Sequence, residues 1–232
     1  MKNVLIVGGS SGIGLAAAQA LSGHYNLYTT SRSGTPPSGV TSAAHYSWDA
    51  SQESSEVFNQ LPEELHGVIY CPGTINLKPF NRLTTADFLK EFEVNVLGAV
   101  KILQTILPRL KKANGASVVL FSTVAAKNGM PFHASIAASK SAVEGLAKSL
   151  AAEFAASKIR FNVVAPSLTD TPLAGALLST EEKKEAAAKR HPLQLIGRPI
   201  DSAALACFLL KEEAQFITGQ VIGVDGGLGS LR

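Results

Sequence analysis

A lysine on a helix of small residues is the first candidate for chemistry. The segment HASIAASK, residues 133–140, reads as the start of a helix in which Lys140 carries the one permanent charge. Ile136 lies one turn before Lys140 on the same helix face. An apolar neighbour disfavours the charged form of an amine, which would lower the pKa of Lys140 toward neutrality. Lys140 is therefore a candidate proton donor.

A histidine two turns before the lysine is a second candidate. His133 lies on the Lys140 face if the helix extends that far, and imidazole, which titrates near neutral pH, can serve as an acid. The alternative is a loop histidine, since NGMPFH (128–133) reads as a connection before the helix. Ser135 and Thr123 could relay a proton through water, although hydroxyl groups are poor acids alone.

A glycine-rich turn indicates a phosphate site. LIVGGSSGIG (5–14) places Gly8, Gly12 and Gly14 directly after an apolar strand and at the start of a helix, with the spacing G-x-x-x-G-x-G. Glycines allow close backbone approach, and a helix N-terminus offers free N–H groups to a pyrophosphate. The strand–turn–helix context predicts dinucleotide binding. Three further candidate contacts lie in the same turn: Ser10, Ser11 and Ile13.

The end of the second strand favours a phosphorylated ribose. In dinucleotide folds an acidic residue here holds the ribose 2′-hydroxyl, whereas TTSRSG (29–34) has Ser31 followed by Arg32. A guanidinium suits a phosphate. This pair predicts NADP(H) rather than NAD(H), and the alternative for Arg32 is an ordinary exposed arginine.

Strands and helices that alternate along the chain must position these residues. Apolar strands are predicted at 3–8, 25–30, 67–71, 116–122, 159–165 and 219–226, with a weaker one near 43–48. Helices are predicted at about 12–22, 52–60, 84–111, 134–157 and 201–211, with a capping pattern at Thr84 and a cap at Asp201. The alternation predicts one α/β domain over 1–232, a Rossmann-type doubly wound parallel sheet of about seven strands flanked by helices on both faces. Residues 167–199 interrupt the rhythm and could form a substrate lid, although their charge run could also be a solvated helix face.

The composition limits the classes of partner. The net charge of +3, from 21 basic and 18 acidic residues, is too mild to imply nucleic acid or an anionic membrane. The two cysteines, Cys71 and Cys207, have no metal-ligand spacing, and no apolar run is long enough for a bilayer. We expect a cytoplasmic protein with a small-molecule substrate and no metal.

With these motifs the chain resembles the short-chain dehydrogenase/reductase family, in the compact single-domain form that includes ketoacyl carrier-protein reductases. The glycine turn matches the family's cofactor turn, and Asp49 in WDAS is similar to its adenine-contacting aspartate. Asn95 in EVNVLGA and Lys140 match its asparagine and lysine. In FNVVAPSLTDTPL (161–173), Pro166 and Thr171 match its nicotinamide-side positions.

The departures from this family lie at the reactive centre. Ile136 stands where the family has its tyrosine, and Thr123, after Ser122, stands where it has its serine. Of the segment YCPG (70–73) only Gly73 matches. The resemblance implies that the lysine holds the ribose and lowers the pKa of the tyrosine, while the asparagine supports a proton-relay water. Related enoyl reductases place their tyrosine seven residues before the lysine, which is the position of His133.

These residues predict an NADP(H)-dependent oxidoreductase that acts on a carbonyl, alcohol or enone with an atypical proton donor. The alternative is a catalytically silent NADP(H)-binding sensor or partner subunit, and a third interpretation is non-redox chemistry such as dehydration. The resemblance also implies a homodimer or homotetramer formed through the two long helices. The candidate catalytic residues are Lys140, Asn95, Thr123 and His133, and the candidate cofactor contacts are Gly8, Ser10, Ser11, Gly12, Ile13, Gly14, Ser31, Arg32, Asp49, Gly73, Asn95, Lys140, Pro166 and Thr171.

Overall fold

The computed structural model describes residues 1–231 and contains one parallel sheet of seven strands in the order β3-β2-β1-β4-β5-β6-β7. This order reverses direction between β1 and β4, which opens a crevice at the carboxyl ends of those strands. The predicted doubly wound α/β fold is confirmed. The strands are β1 (Asn3–Val7), β2 (Asn26–Ser31), β3 (Ala44–Ser47), β4 (Gly67–Tyr70), β5 (Ala116–Phe121), β6 (Ile159–Pro166) and β7 (Val221–Val224).

Helices cover both faces of the sheet, as expected for strands that are apolar on both sides. One buried cluster joins alternate strand residues to α1 and α6, and the other joins the opposite strand faces to α3 and α4. This sandwich places the start of α1 and the first turns of α4 near the crevice. The helices are α1 (Gly12–Leu21), α2 (Thr85–Phe92), α3 (Gly98–Lys112), α4 (Ala134–Phe154), α5 (Glu181–Ala188) and α6 (Pro199–Leu210).

The helix predicted at 84–111 is three segments. Thr84 caps α2 as expected, since its hydroxyl accepts the Asp87 N–H at 3.2 Å while the Asp87 carboxylate accepts the Thr84 N–H at 2.9 Å. A π-helical turn over Glu93–Leu97 then separates α2 from α3. The Tyr70 hydroxyl donates to the Val94 carbonyl of this turn at 2.7 Å. The wider turn therefore has a side-chain partner from β4, which a helical sequence pattern does not show.

Two other helix predictions need correction. The helix expected at 52–60 is a 3₁₀ turn over Glu56–Gln60. The Ser54 carbonyl accepts the Trp48 indole N–H instead of a helical N–H, and the Ser55 carbonyl accepts the Phe58 N–H, three residues along the chain. The Ser55 hydroxyl pairs with Thr105. The last helix begins at Pro199, two residues early. Asp201 is its third residue rather than its cap, and its carboxylate accepts the backbone N–H of Arg198 at 2.8 Å.

The segment expected as a lid has its own small core. A 3₁₀ helix over Pro172–Leu178 and α5 bury Ala174, Leu178 and Ala187 against each other. His191 follows α5 and is 3% exposed, with Nε2 2.8 Å from the Ser167 hydroxyl and Nδ1 2.9 Å from the Ala187 carbonyl. This histidine therefore ties the end of α5 to the loop that leaves β6.

Candidate functional site

The glycine turn is shaped by steric limits that exclude other residues. Gly8 and Gly12 have φ of +77° and +53°, in the left-handed region that favours glycine. A Cβ on Gly14 would lie 2.2 Å from the Gly8 carbonyl oxygen. The start of α1 is thus packed directly on the turn after β1, as a close approach to a ligand phosphate requires.

The N-terminus of α1 faces this turn without a side-chain cap. Ser11 is the N-cap residue, but its hydroxyl makes no capping hydrogen bond. The first N–H groups of α1, next to Ile13 and Gly14, are therefore available to an anion. A methyl carbon of Thr171 lies 3.3 Å from where a Cβ on Gly12 would be, so the start of the 167–199 segment contacts the glycine turn.

The adenine side of the crevice has one buried and one exposed candidate. The Ser31 hydroxyl is 4% exposed and donates to the Thr35 carbonyl at 3.1 Å, besides lying 3.0 Å from Nε2 of His45. Arg32 is exposed. Hydrogen bonds from Ser51 are the main cause that lowers the pKa of Asp49, and the positive charge of Arg32 adds to them. Of the predicted pair, Arg32 is the one free to meet a phosphate.

Lys140 is buried at the carboxyl end of β5. Its side chain is on the first turns of α4, is 7% exposed, and donates from Nζ to the Phe121 carbonyl at 3.0 Å. Burial lowers the pKa of Lys140 to about 8, and the nearby Glu91 carboxylate partly opposes this effect. An ammonium that titrates close to neutrality can exchange a proton at physiological pH.

Asn95 and Lys140 meet at Gly73. Asn95 is in the π-helical turn and is 1% exposed. A Cβ on Gly73 would lie 3.3 Å from Asn95 Oδ1 and 3.5 Å from Lys140 Nζ, so any larger residue at this position would fill the space beside both atoms. Asn95 Oδ1 is buried without a hydrogen-bond partner among residues 1–231. The three predicted residues form one polar centre, which can hold the hydroxyl groups of a ligand.

A residue that the sequence analysis missed completes this centre. Glu91 is on α2, one turn before Asn95, and is 1% exposed. Its Oε2 accepts hydrogen bonds from the Thr74 hydroxyl at 2.7 Å and from Asn95 Nδ2 at 3.0 Å. The spacing of four residues from Asn95 was the available signal, because it places both side chains on one helix face.

The other candidates lie around the Lys140 centre with different partners. Ile136 is 5% exposed in the first turn of α4. Thr123 caps a short 3₁₀ turn by accepting the Ala125 N–H at 3.3 Å. His133 is the N-cap residue of α4, and its Nδ1 lies 2.6 Å from the Pro131 carbonyl of its own loop. The histidine is therefore held by the connection that precedes the helix.

The side chains at the carboxyl end of β4 and directly after it have no free acidic proton near neutrality. The Tyr70 hydroxyl is bonded to the Val94 carbonyl, and burial raises the pKa of Tyr70 well above its ordinary value. Burial likewise raises the pKa of the Cys71 thiol to about 12. Pro166 ends β6 opposite Val224, on the same sheet edge. Among residues 1–231, no group of three or more His, Cys, Asp or Glu side chains could hold a metal ion, and no helix is long and apolar enough to cross a membrane.

Comparison with known proteins supports the family resemblance that the sequence motifs indicate. The family profile described as "Enoyl-(Acyl carrier protein) reductase" matches residues 7–229. The chain belongs to the short-chain dehydrogenase/reductase family.

Several proteins similar to this chain align over most of its length. A tropinone reductase homologue of Arabidopsis thaliana is 33% identical over 97% of this chain and 92% of its own length. The 3-oxoacyl-[acyl-carrier-protein] reductase FabG of Thermotoga maritima is 37% identical over 73% of this chain and 72% of its own. The Pseudomonas aeruginosa RhlG/NADP active-site complex superposes with a TM-score of 0.91 at 26% identity, covering 98% and 96% of the two chains.

Proposed function

We propose that this short-chain dehydrogenase/reductase is an NADP(H)-dependent oxidoreductase in which Lys140 replaces the missing tyrosine as proton donor. When bound, the cofactor supplies hydride to a carbonyl or enone carbon, or accepts it from an alcohol. The single observation that carries the proposal is the burial of Lys140 beside Asn95 and Gly73.

The fit of the chain to NADP(H) rests on its own geometry. The uncapped start of α1 and the direct packing of Gly14 on Gly8 suit a pyrophosphate, and the exposed Arg32 suits a 2′-phosphate. Asp49 is assigned to the adenine. The residues assigned to the ribose are Gly73, Asn95 and Lys140. Pro166 and Thr171 are assigned to the nicotinamide side. The RhlG complex contains NADP, which supports this preference.

The chain's own residues must transfer the proton. In the reducing direction Lys140 Nζ gives a proton to the substrate oxygen, so an N–H bond breaks, an O–H bond forms and a neutral amine remains. Solvent then returns a proton to the amine. In the oxidising direction the neutral amine accepts the alcohol proton, and the same steps run in reverse.

One relative supports a proposal for the substrate class. FabG of Thermotoga maritima is a 3-oxoacyl-[acyl-carrier-protein] reductase, so ketoacyl thioesters are the first substrates to test. The 167–199 segment, which contacts the glycine turn through Thr171, is proposed to cover the substrate. A groove of about 310 Å³ between α3 and α4, with leucines and Phe154 among its lining residues, supports a homodimer or homotetramer.

The alternative is a silent NADP(H)-binding sensor or partner subunit. The buried Ile136 favours it, because this side chain has no proton to give. The two functions separate in one experiment, NADPH oxidation followed at 340 nm with ketones, ketoacyl thioesters and enones. Turnover by the natural protein that is lost in Lys140→Met supports the proposal, whereas NADPH binding without any turnover supports the sensor.

A further inference from the structure

A buried carboxylate lies next to Asn95 in the centre that contains the proposed proton donor, at a position that none of the predicted roles uses. Glu91 is 1% exposed, and only its Oε2 is bonded, to the Thr74 hydroxyl and the Asn95 amide. Its Oε1 is buried without a hydrogen-bond partner among residues 1–231, as is Asn95 Oδ1. Buried carboxylates are costly to keep, so one with an unpaired oxygen requires an explanation.

Glu91 determines which way the Asn95 amide points. Asn95 Nδ2 lies 2.8 Å from the Glu91 backbone carbonyl and 3.0 Å from the Glu91 carboxylate. Both are acceptors, so the nitrogen end of the amide must face them. The oxygen end consequently faces Gly73, where Lys140 Nζ also lies. A side chain without an acceptor at residue 91 would remove one of these two acceptors, while the backbone carbonyl would remain.

Glu91 is also the main negative charge that acts on Lys140. Burial lowers the pKa of Lys140, and the Glu91 charge is the larger of the two effects that raise it, ahead of Cys71. The Cys71 thiol is neutral near pH 7 because burial raises its pKa to about 12. Two other carboxylates on the surrounding helices have partners of their own. On α4, Glu144 accepts a hydrogen bond from the Ser122 hydroxyl at 2.5 Å. On α2, Asp87 pairs with Lys78 at 2.7 Å.

We propose that Glu91 is the positioning residue of this centre, which fixes the Asn95 amide and holds Lys140 in the ammonium form that gives its proton to substrate. This inference rests on the proposed function. Its chemistry needs no further reactant: the proton leaves Lys140 Nζ for the substrate oxygen, and solvent restores it. Glu91 exchanges no proton in this step and acts only through Lys140 and Asn95.

The first test measures the titration of Lys140 without any turnover. Protein with ¹³C-labelled lysine is titrated by NMR, and the Lys140 signal is assigned by its absence in Lys140→Met. We expect Glu91→Gln to lower the Lys140 pKa by about one unit, since an opposite charge close by shifts a pKa by about that much or more. Glu91→Asp, which keeps the charge, should shift it less.

The matched control is Glu93→Gln, which removes a charge two residues away, where Glu93 lies 3.7 Å from Lys101 at the surface. This control should leave the Lys140 titration unchanged. An equal Lys140 pKa in the natural protein and Glu91→Gln would overturn the proposal. Thermal unfolding of each variant checks that it is folded, and Glu91→Met, a second neutral side chain of similar length, decides the question if Glu91→Gln is not folded.

The second test is the pH profile of ketone reduction. The rate of the natural protein should fall above about pH 8, where Lys140 loses its proton, and in Glu91→Gln this fall should begin about one pH unit lower. A structural role alone would lower the rate at every pH without moving the profile.

The two tests separate the two proposals. If no substrate is reduced, the proposed function fails while the NMR titration still decides whether Glu91 controls the charge of Lys140. If substrate is reduced but Glu91→Gln shifts neither the titration nor the profile, the function stands and the role of Glu91 is wrong.

Discussion

The glycine turn of α1 and the Lys140 centre of α4 line the same crevice. The glycine turn resembles the family's motif more fully than the Lys140 centre does. The turn keeps Gly8, Gly12 and Gly14, and a Cβ on Gly14 would meet the Gly8 carbonyl at 2.2 Å. At the other centre we propose that Ile136 takes the place of the family's tyrosine, and the Glu91 carboxyl group is buried there as well. Binding the phosphates depends on backbone shape, whereas moving a proton depends on the total of nearby charges.

The largest expected effect is at the Lys140 centre. Lys140→Met should lower kcat for ketone reduction by about 10²- to 10⁴-fold, the usual contribution of a general acid. The methionine matches the length of the lysine and can remain buried, so the secondary structure should persist. Steady-state kinetics with circular dichroism check this, and a rate within twofold of the natural protein would remove Lys140 from the mechanism.

The next largest effect is expected from a substitution in the glycine turn. Gly14→Ala should destabilise the protein by about 1–3 kcal/mol and weaken NADPH binding, because the backbone must move to admit the methyl group. Gly145→Ala is the control, since no atom lies within 4 Å of a Cβ there on α4. That change should stabilise the helix by about 0.5–1 kcal/mol. Urea unfolding and fluorescence titration measure both, and equal behaviour of the two variants would contradict this account of the turn.

A third effect is the pH dependence of stability, which distinguishes the charge of Lys140 from its shape. The folded-state pKa of Lys140, about 8, is below its ordinary value of 10.5, so the unfolded chain binds the proton more tightly. Burial of the ammonium therefore costs stability fully below pH 8, and the cost disappears as the pH rises to about 10.5.

Lys140→Met should accordingly be more stable than the natural protein at pH 7, by about 2 kcal/mol after the lost hydrogen bond to Phe121 is counted. The difference should shrink between pH 8 and pH 10. Taking the difference between the two proteins cancels the titration of Tyr70 and Cys71, which both share. A difference in urea unfolding that is constant with pH would show that the lysine titrates normally.

A smaller effect is expected on the preference for NADPH over NADH. Arg32→Ala should weaken NADPH binding about tenfold and leave NADH binding nearly unchanged, because only NADPH carries the 2′-phosphate. Arg82→Ala, at another exposed arginine, should change neither. If both cofactors weaken equally in Arg32→Ala, the arginine contacts a part that they share.

The smallest effect is expected at His133. Its Nδ1 is 2.6 Å from the Pro131 carbonyl, so His133→Ala should change kcat less than about threefold. The same kinetic assay measures it. A loss of a hundredfold or more would transfer the proton-donor role from Lys140 to His133.

The sequence predicted the sheet and the glycine turn because both depend on local patterns. Continuous apolar strands and glycines at a strand–helix junction keep their meaning without knowledge of the partner elements. The π-helical turn at Asn95 could not be predicted, since it has a partner in the Tyr70 hydroxyl of a distant strand. The prediction for 52–60 failed for a related reason, because the Ser54 carbonyl accepts the Trp48 indole N–H and the Ser55 hydroxyl pairs with Thr105 of another helix.

The candidate site was predicted in part. Asn95, Gly73 and Lys140 were identified from matching motifs, and the structure brings them together. Glu91 was overlooked because a glutamate in a helix ordinarily faces water. Only the packing of α2 against α4 shows that this one is buried.

The central claim is that the Lys140 centre transfers a proton without a tyrosine. The most direct measurement is NADPH oxidation with ketones, ketoacyl thioesters and enones, run in parallel on the natural protein and on Ile136→Tyr. We predict that the natural protein reduces at least one of these substrates and that its rate falls above about pH 8, where Lys140 deprotonates. Turnover that appears only in Ile136→Tyr would contradict the claim and would make the natural protein a cofactor-binding sensor.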